Sequence, residues 1–206
     1  MHIFDFFDDV VYIPTMQATP APAPVLLPSR LGLDRLPRLR QVAAIKTPAD
    51  ARIGMALTHR RVAQEAFDAS RRTVLVVAGN TLLLDDALHT LGAALAELAR
   101  QHWGVCHLGH WSGSDKLVPV AGCQWLARSA GYAQAGAYAL HARALPALLA
   151  DMPADFATMQ AWVAKHGTFD DALRRLPHSY TLTPGIACQP AFLPYQPLAL
   201  QDRFAA

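Results

Sequence analysis

The chain has no apolar stretch long enough to cross a bilayer. Its hydrophobic tracts are broken by Gly, His, Arg or Asp, well short of the ~20 residues a helical span needs. Cysteine is scarce. Cys106, Cys123 and Cys188 are three in number and scattered in spacing, which argues against a disulfide framework and for a reducing compartment. No Cys/His spacing matches a zinc site. Charge of one sign is not in excess: 18 Lys and Arg face 16 Asp and Glu, for a formal net charge of +2. That balance predicts neither a nucleic-acid footprint nor a membrane-surface patch. There is no internal repeat, no P-loop, no Gly-x-Gly-x-x-Gly and no Ser-His-Asp order. The opening MHIFDFFDD has no basic region ahead of an apolar one and does not read as a secretory signal.

What remains is a globular composition, 52% hydrophobic and 17% charged over 206 residues, suited to a single domain with a sizeable core. Two segments stand outside the expected core: a Pro- and Ala-rich loop at 18–28 and a Pro-rich tail at 190–206. Prolines there deny the backbone the donors a sheet or helix requires.

The spacing predicts a first strand at Val10 to Ile13, ended by Pro14. A helix is expected over 51–70, with Asp50 as its cap and Met55, Thr58, His59, Val62 and Ala66 on one face. TVLVVA at 73–78 is apolar without alternation, as in a strand buried on both faces. Gly79-Asn80 then reads as a turn. An amphipathic helix follows to about Gln101, with Leu88, Leu91, Leu95 and Leu98 on one stripe. Asp85 and Asp86 precede it as capping and helix-dipole residues. VCHLG at 105–109 and GAYALH at 136–141 read as strands, the second entering a short helix near 145–152. Helices are expected at 155–166 and 169–176, and a last strand at 180–183. Alternating strands and helices predict an α/β fold with a mostly parallel central sheet. In such sheets ligands lie beyond the carboxyl ends of the strands. Ala78-Gly79-Asn80 and Gly109 to Asp115 are therefore the places to expect a site.

Four pieces, in order, resemble the family 25 glycosyltransferases, which include lipooligosaccharide and procollagen galactosyltransferases. Ile53 to His59 is similar to that family's Gly-Cys-x-x-Ser-His helix start. Thr73 to Val77, followed by Ala78-Gly79-Asn80, stands where the family has a strand and Glu-Asp-Asp. Gly136 to His141, with Ala144 and Leu148-Leu149, is similar to its Thr-x-Ala-Tyr segment and following helix. Asp155, Tyr180 through Pro184, and Cys188-Gln189 are similar to its later Asp and Pro-x-x-x-x-Gln ending. The resemblance implies a GT-A-like nucleotide-diphospho-sugar sandwich and transfer of a hexose from a UDP-sugar to a glycan or hydroxyl acceptor. It also implies a bacterial, cytoplasmic setting. It carries His59, Ala78, Gly79, Asn80, Tyr138 and Gln189 over as donor-binding positions. Asp155 and Asp115 become candidates for the general base that an acceptor hydroxyl needs.

The chain departs from the family at the acidic triplet. A divalent cation bound there would neutralise the departing diphosphate, and such hard cations want carboxylate oxygens. Ala78 and Gly79 have no side-chain oxygen, and Asn80 has one neutral acceptor. No metal site is expected, and Mn²⁺ is not an expected cofactor. Phosphate contacts would have to come from backbone N–H groups at the Gly79-Asn80 turn, or from Lys116, Arg128 or Arg143. Two readings follow: a glycosyltransferase that works without the metal motif, or an inactive relative that binds or assembles with a protein partner. His59 and Tyr138 also read as core residues, Asp155 as a helix cap, and His107 with His110 as a two-His pair that would need further ligands to hold a metal.

Overall fold

The computed structural model describes residues 3–14, 39–48, 50–79, 81–83, 87–109, 117–129 and 135–188. The Pro-rich segment and the tail lie outside them, as do Asn80, Asp85, Asp86, His110, Asp115, Lys116 and Gln189.

The main sheet is built from β1 (Asp9–Ile13), β2 (Leu39–Gln41), β3 (Thr73–Ala78), β5 (Val105–His107), β6 (Val118–Pro119), β7 (Leu126–Arg128), β8 (Ala137–His141) and β9 (Ser179–Leu182). Their order is β2-β1-β3-β8-β5-β9-β7-β6. A separate antiparallel pair joins β4 (Leu82–Leu83) to β10 (Ala187–Cys188). The helices are α1 (Ile3–Phe6), α2 (Ala51–Asp68), α3 (Ala87–Leu98), α4 (Leu145–Asp151), α5 (Phe156–His166) and α6 (Phe169–Arg175).

The expected α/β layering is present, and the sheet is mixed. β1 pairs in parallel with β2 and β3, and β5 with β9, while the four pairings made by β8 and β7 are antiparallel. Six strands therefore run one way and two, β7 and β8, run against them. The orientation of GAYALH is the point that composition does not encode. An apolar run reads the same in either direction, and only the connections decide it.

Every residue of β1 and β3 is buried. The pleat sends Leu75 and Val77 into a core shared with Phe6, Leu91, Leu95 and Leu98. Val74 and Val76 enter the opposite core with Ile53, Val62, Leu148 and Leu173. Both faces are covered, so a continuous apolar run is what this strand needs. Leu95 and Leu98 are each about 1% exposed, and each buried leucine stabilises the fold by about 2 kcal/mol through area removed from water.

β2 went unseen in the sequence because it is three residues long. It is held from outside its own pattern: Arg40 Nε donates to Asp9 of β1 at 2.7 Å and Nη1 to Glu65 of α2 at 2.5 Å. The β6–β7 hairpin at the far edge is equally short.

Candidate functional site

β1, β3, β5 and β9 all end at one edge, where β8 begins. Ala78 N–H donates to Gly136 C=O at 2.7 Å, and Leu108 N–H to Ala137 C=O at 3.0 Å. Ile186 N–H donates to Leu108 C=O at 2.8 Å, bringing the β4–β10 pair to the same edge. β3, β8 and β10, which carry three of the family-like pieces, thus meet at the carboxyl end of the sheet.

The first piece is tied in from α2. A Cβ on Gly54 would lie 2.1 Å from the carbonyl oxygen of Ile45, so only glycine lets the helix approach this segment. Gly54 N–H donates to Thr47 Oγ1 at 3.1 Å. Ile45 N–H donates to Thr58 Oγ1 at 2.8 Å, and that hydroxyl donates to Gly54 C=O at 2.7 Å. Gly54 and Thr58 therefore clamp the stretch leaving β2, whose Val42 N–H donates to Tyr12 C=O near the end of β1. Thr58→Val removes the acceptor and leaves the Ile45 amide unpaired. The expected loss is about 1–3 kcal/mol, read by urea denaturation, with Thr58→Ser recovering most of it.

His59 and Tyr138 come together, but inside the protein. His59 Nδ1 lies 2.7 Å from Tyr138 Oη, and the imidazole stacks on Phe169 at 4.3 Å between centroids and 9° between planes. They are 1% and 0% exposed. His59 Nε2 has no hydrogen-bond partner among the described residues. Burial drives the His59 pKa down to about 3 and the Tyr138 hydroxyl well above its usual value. Both side chains are packed against each other and against Phe169. These are the surroundings of core residues.

At the turn itself, the backbone donors are already used. Ala78 N–H is bound to Gly136, Gly79 N–H donates to Ile13 C=O at 2.7 Å, and Thr81 N–H to Ala78 C=O at 3.0 Å. Thr81 Oγ1 also donates to Gly136 C=O, at 2.7 Å. The Ala78 and Gly79 amides are therefore not free to cradle a phosphate, and Asn80 lies outside the described residues. Nor do Ala78 and Gly79 fit a divalent cation, having no side-chain oxygen to offer it. Among the described residues, no group of three or more His, Cys, Asp or Glu side chains is placed to hold a metal ion.

Asp155 caps α5: its Oδ1 accepts from Thr158 N–H at 3.0 Å, and its Oδ2 accepts from the Thr158 hydroxyl. These bonds, the hydroxyl's first, hold its carboxyl below the usual range and make it a weaker base. The eleven-residue α5 ends two residues before α6 begins. Asp155 thus stands a helix length, about 16 Å, from that junction. Arg143, a candidate phosphate contact, follows β8 at the opposite, amino end of the sheet, and Arg128 is exposed on β7. His107 is buried on β5, paired in register with Tyr138. Asp115, Lys116, His110 and Gln189 lie outside the described residues, Gln189 directly following β10.

One carboxylate at the carboxyl end was passed over in the sequence. Asp170 Oδ1 accepts from Ala135 N–H at 2.5 Å, next to the start of β8. Burial, with Asp171 also contributing, raises its carboxyl above the usual range. The adjacent pair Asp170-Asp171 at the start of α6 reads as capping, and Asp171 does cap: it accepts from Thr168 N–H at 2.8 Å. Nothing in the local pattern separates the partner that caps from the one that reaches across to β8.

No family model matches this chain, and none of the curated proteins does. Among solved structures, it is similar to mannose-1-phosphate geranyltransferase from Thermus thermophilus. That match has 13% identity and a TM-score of 0.48, over 84% of this chain and 73% of that one. It is also similar to A197 from STIV, at 12% identity and a TM-score of 0.47, over 87% and 82% of the two chains. Likeness at this level carries no argument about what the chain binds or does. No helix among the described residues is long and apolar enough to cross a membrane.

Proposed function

We propose that the chain is a GT-A-type, glycosyltransferase-like protein related to family 25, and that it binds a UDP-sugar at the carboxyl end of the sheet. One observation carries the reading. The described parts of the family-like pieces at 73–79, 136–141 and Cys188, far apart in sequence, meet at that end, and the piece at 53–59 packs beneath them through His59 and Tyr138. If active, the protein would transfer the hexose to a glycan or hydroxyl acceptor. Charge on the leaving diphosphate would then be met by groups other than carboxylate-held metal. Asp170 is a better-placed acid or base than Asp155, because its carboxyl is raised and lies beside β8 rather than in an exposed cap.

The second reading, an inactive relative that serves as a binding or assembly subunit, is favoured by the committed amides of Ala78 and Gly79 and by the capping role of Asp155. Thermal unfolding with UDP and UDP-hexoses, with and without Mn²⁺, tests both. A ligand that binds only the folded state raises the midpoint. The expected result is a rise with UDP-sugar that Mn²⁺ does not change. A rise that requires Mn²⁺ would overturn the metal-free reading, and no rise with any nucleotide would remove nucleotide binding altogether. Release of UDP from UDP-hexose in the presence of glycan acceptors separates an active enzyme from a binding subunit.

A further inference from the structure

The amino end of the sheet gathers two arginines and three histidines from four separate places in the chain. Thr73 pairs with His141 and Val105 with Ser179, which sets the loops before and after these strands side by side. Ala142 N–H donates to Arg72 C=O at 2.7 Å, His141 N–H to Gly104 C=O at 2.9 Å, and Gly104 N–H to His178 C=O at 3.0 Å. Arg72, His102, His141, Arg143 and His178 become neighbours through these backbone bonds, whatever their own charges prefer. The rings of His102 and His178 are 4.4 Å apart, edge to face, and His141 meets Trp103 at 5.2 Å.

Arg143 is the centre of the group. Its Nη1 donates to His102 Nδ1 at 2.7 Å, and its backbone N–H donates to His141 Nδ1 at 3.2 Å. Both imidazoles accept through Nδ1, so each keeps its proton on Nε2 and has that N–H to offer. Neither Arg72 nor Arg143 forms an ion pair among the described residues; the ion pairs there belong to Arg40, Arg52, Arg61, Arg174 and Arg175. Two acids are near. Asp8 is spent on the backbone amides of Arg72 and Thr73, and Asp5 lines the same cleft as Arg72. Repulsion from Arg143 pulls His102 below its ordinary pKa, and burial followed by Arg143 and Arg72 does the same to His141. Neither guanidinium is matched by a carboxylate at ion-pair distance among the described residues, which leaves both able to take an anion from outside.

The room is there. A cleft of about 290 Å³ is lined by Arg72, His141, Asp5 and Thr73, with Phe6, Trp103 and Ala99 as its apolar wall. We propose that this cleft binds a phosphate dianion, either free or as a small phosphomonoester, through the Arg72 guanidinium and the Nε2–H of His141, with the Arg143 guanidinium adjacent as a second positive group. Two or more N–H donors on one phosphate, one of them a guanidinium, is the chemistry that holds such groups elsewhere. The site is at the opposite end of the sheet from the proposed nucleotide-sugar site and does not depend on it.

The test uses the full chain and follows the histidine ring resonances by NMR at constant ionic strength. Inorganic phosphate and phenyl phosphate are titrated in turn, with sodium chloride as the control. Saturable shifts at His141 and His102 are expected with both, and Arg72→Gln weakens them by about tenfold, as loss of a charge-assisted contact should. Tighter binding of phenyl phosphate assigns the apolar wall to the ester's organic part, while equal binding assigns the site to the free ion. Shifts that chloride reproduces, that never saturate, or that Arg72→Gln leaves unchanged would overturn the proposal. Arg72 is exposed, so the variant folds, and its response to UDP-sugar is unchanged, which separates this site from the proposed nucleotide-sugar site.

Discussion

Acidification from pH 6.5 to pH 3 is expected to remove about 4 kcal/mol of folding stability through His59 alone. The unfolded imidazole titrates near 6.5, and in the folded protein burial lowers it to about 3. Below pH 6.5 the unfolded chain therefore binds a proton that the native state refuses. The contribution is fully present above 6.5, declines as pH falls, and is used up near the folded value. Other groups titrate in this window, so the effect must be isolated by difference. Replacing both members of the pair, His59→Phe with Tyr138→Phe, leaves no orphaned polar group and keeps the stack on Phe169, which makes the change nearly neutral at pH 7. Stability measured by urea denaturation from pH 7 to pH 3 should fall less steeply in the double variant than in the parent. Equal slopes would mean that the imidazole reaches solvent or a partner that accepts its charge.

Gly54→Ala should cost about 3–4 kcal/mol or more, placing it among the most damaging single substitutions. The added Cβ would stand 2.1 Å from a backbone carbonyl oxygen and 3.0 Å from Thr47 Oγ1. Side-chain rotation does not relieve the contact with the Ile45 backbone, so the segment 45–47 must retreat. In doing so it loses the Gly54–Thr47 and Ile45–Thr58 bonds as well. Gly122→Ala is the control. It has φ of +73° with nothing within 4 Å of the added atom, so only the backbone penalty of about 1 kcal/mol applies. The two variants should therefore differ severalfold in stability loss. A Gly54→Ala protein as stable as the Gly122→Ala one would show that the clamp does not hold this segment.

The pieces of the site were unequally legible. The helix at 51–68 and its Asp50 cap follow directly from pattern, and Asp50 does accept from Arg52 N–H at 2.8 Å. The role of Gly54 was visible only as a motif letter. The close approach that requires it involves Ile45, nine residues back on a loop, and no periodicity reports a loop's position. Asp155 and Asp170 are both acids at helix starts, identical to a sequence reading. What separates them is that one accepts from its own helix and the other from Ala135 across the fold. The position of Arg143 was hidden for a related reason. It follows a strand that runs against its neighbours, so it emerges at the amino end of the sheet.

Composition and hydrophobic period by themselves determined that this chain builds an α/β sandwich, where its longer strands and helices lie, and that the turn after TVLVVA has no carboxylates. These are local properties, set by side-chain type and spacing along the backbone. The tertiary structure alone decided the reversal of β8, the burial of His59 against Tyr138, the commitment of the Ala78 and Gly79 amides, and the cluster of arginine and histidine at the amino end. Each depends on which segments, far apart in sequence, are brought within hydrogen-bonding distance, and that is fixed by strand order and register rather than by any window of sequence.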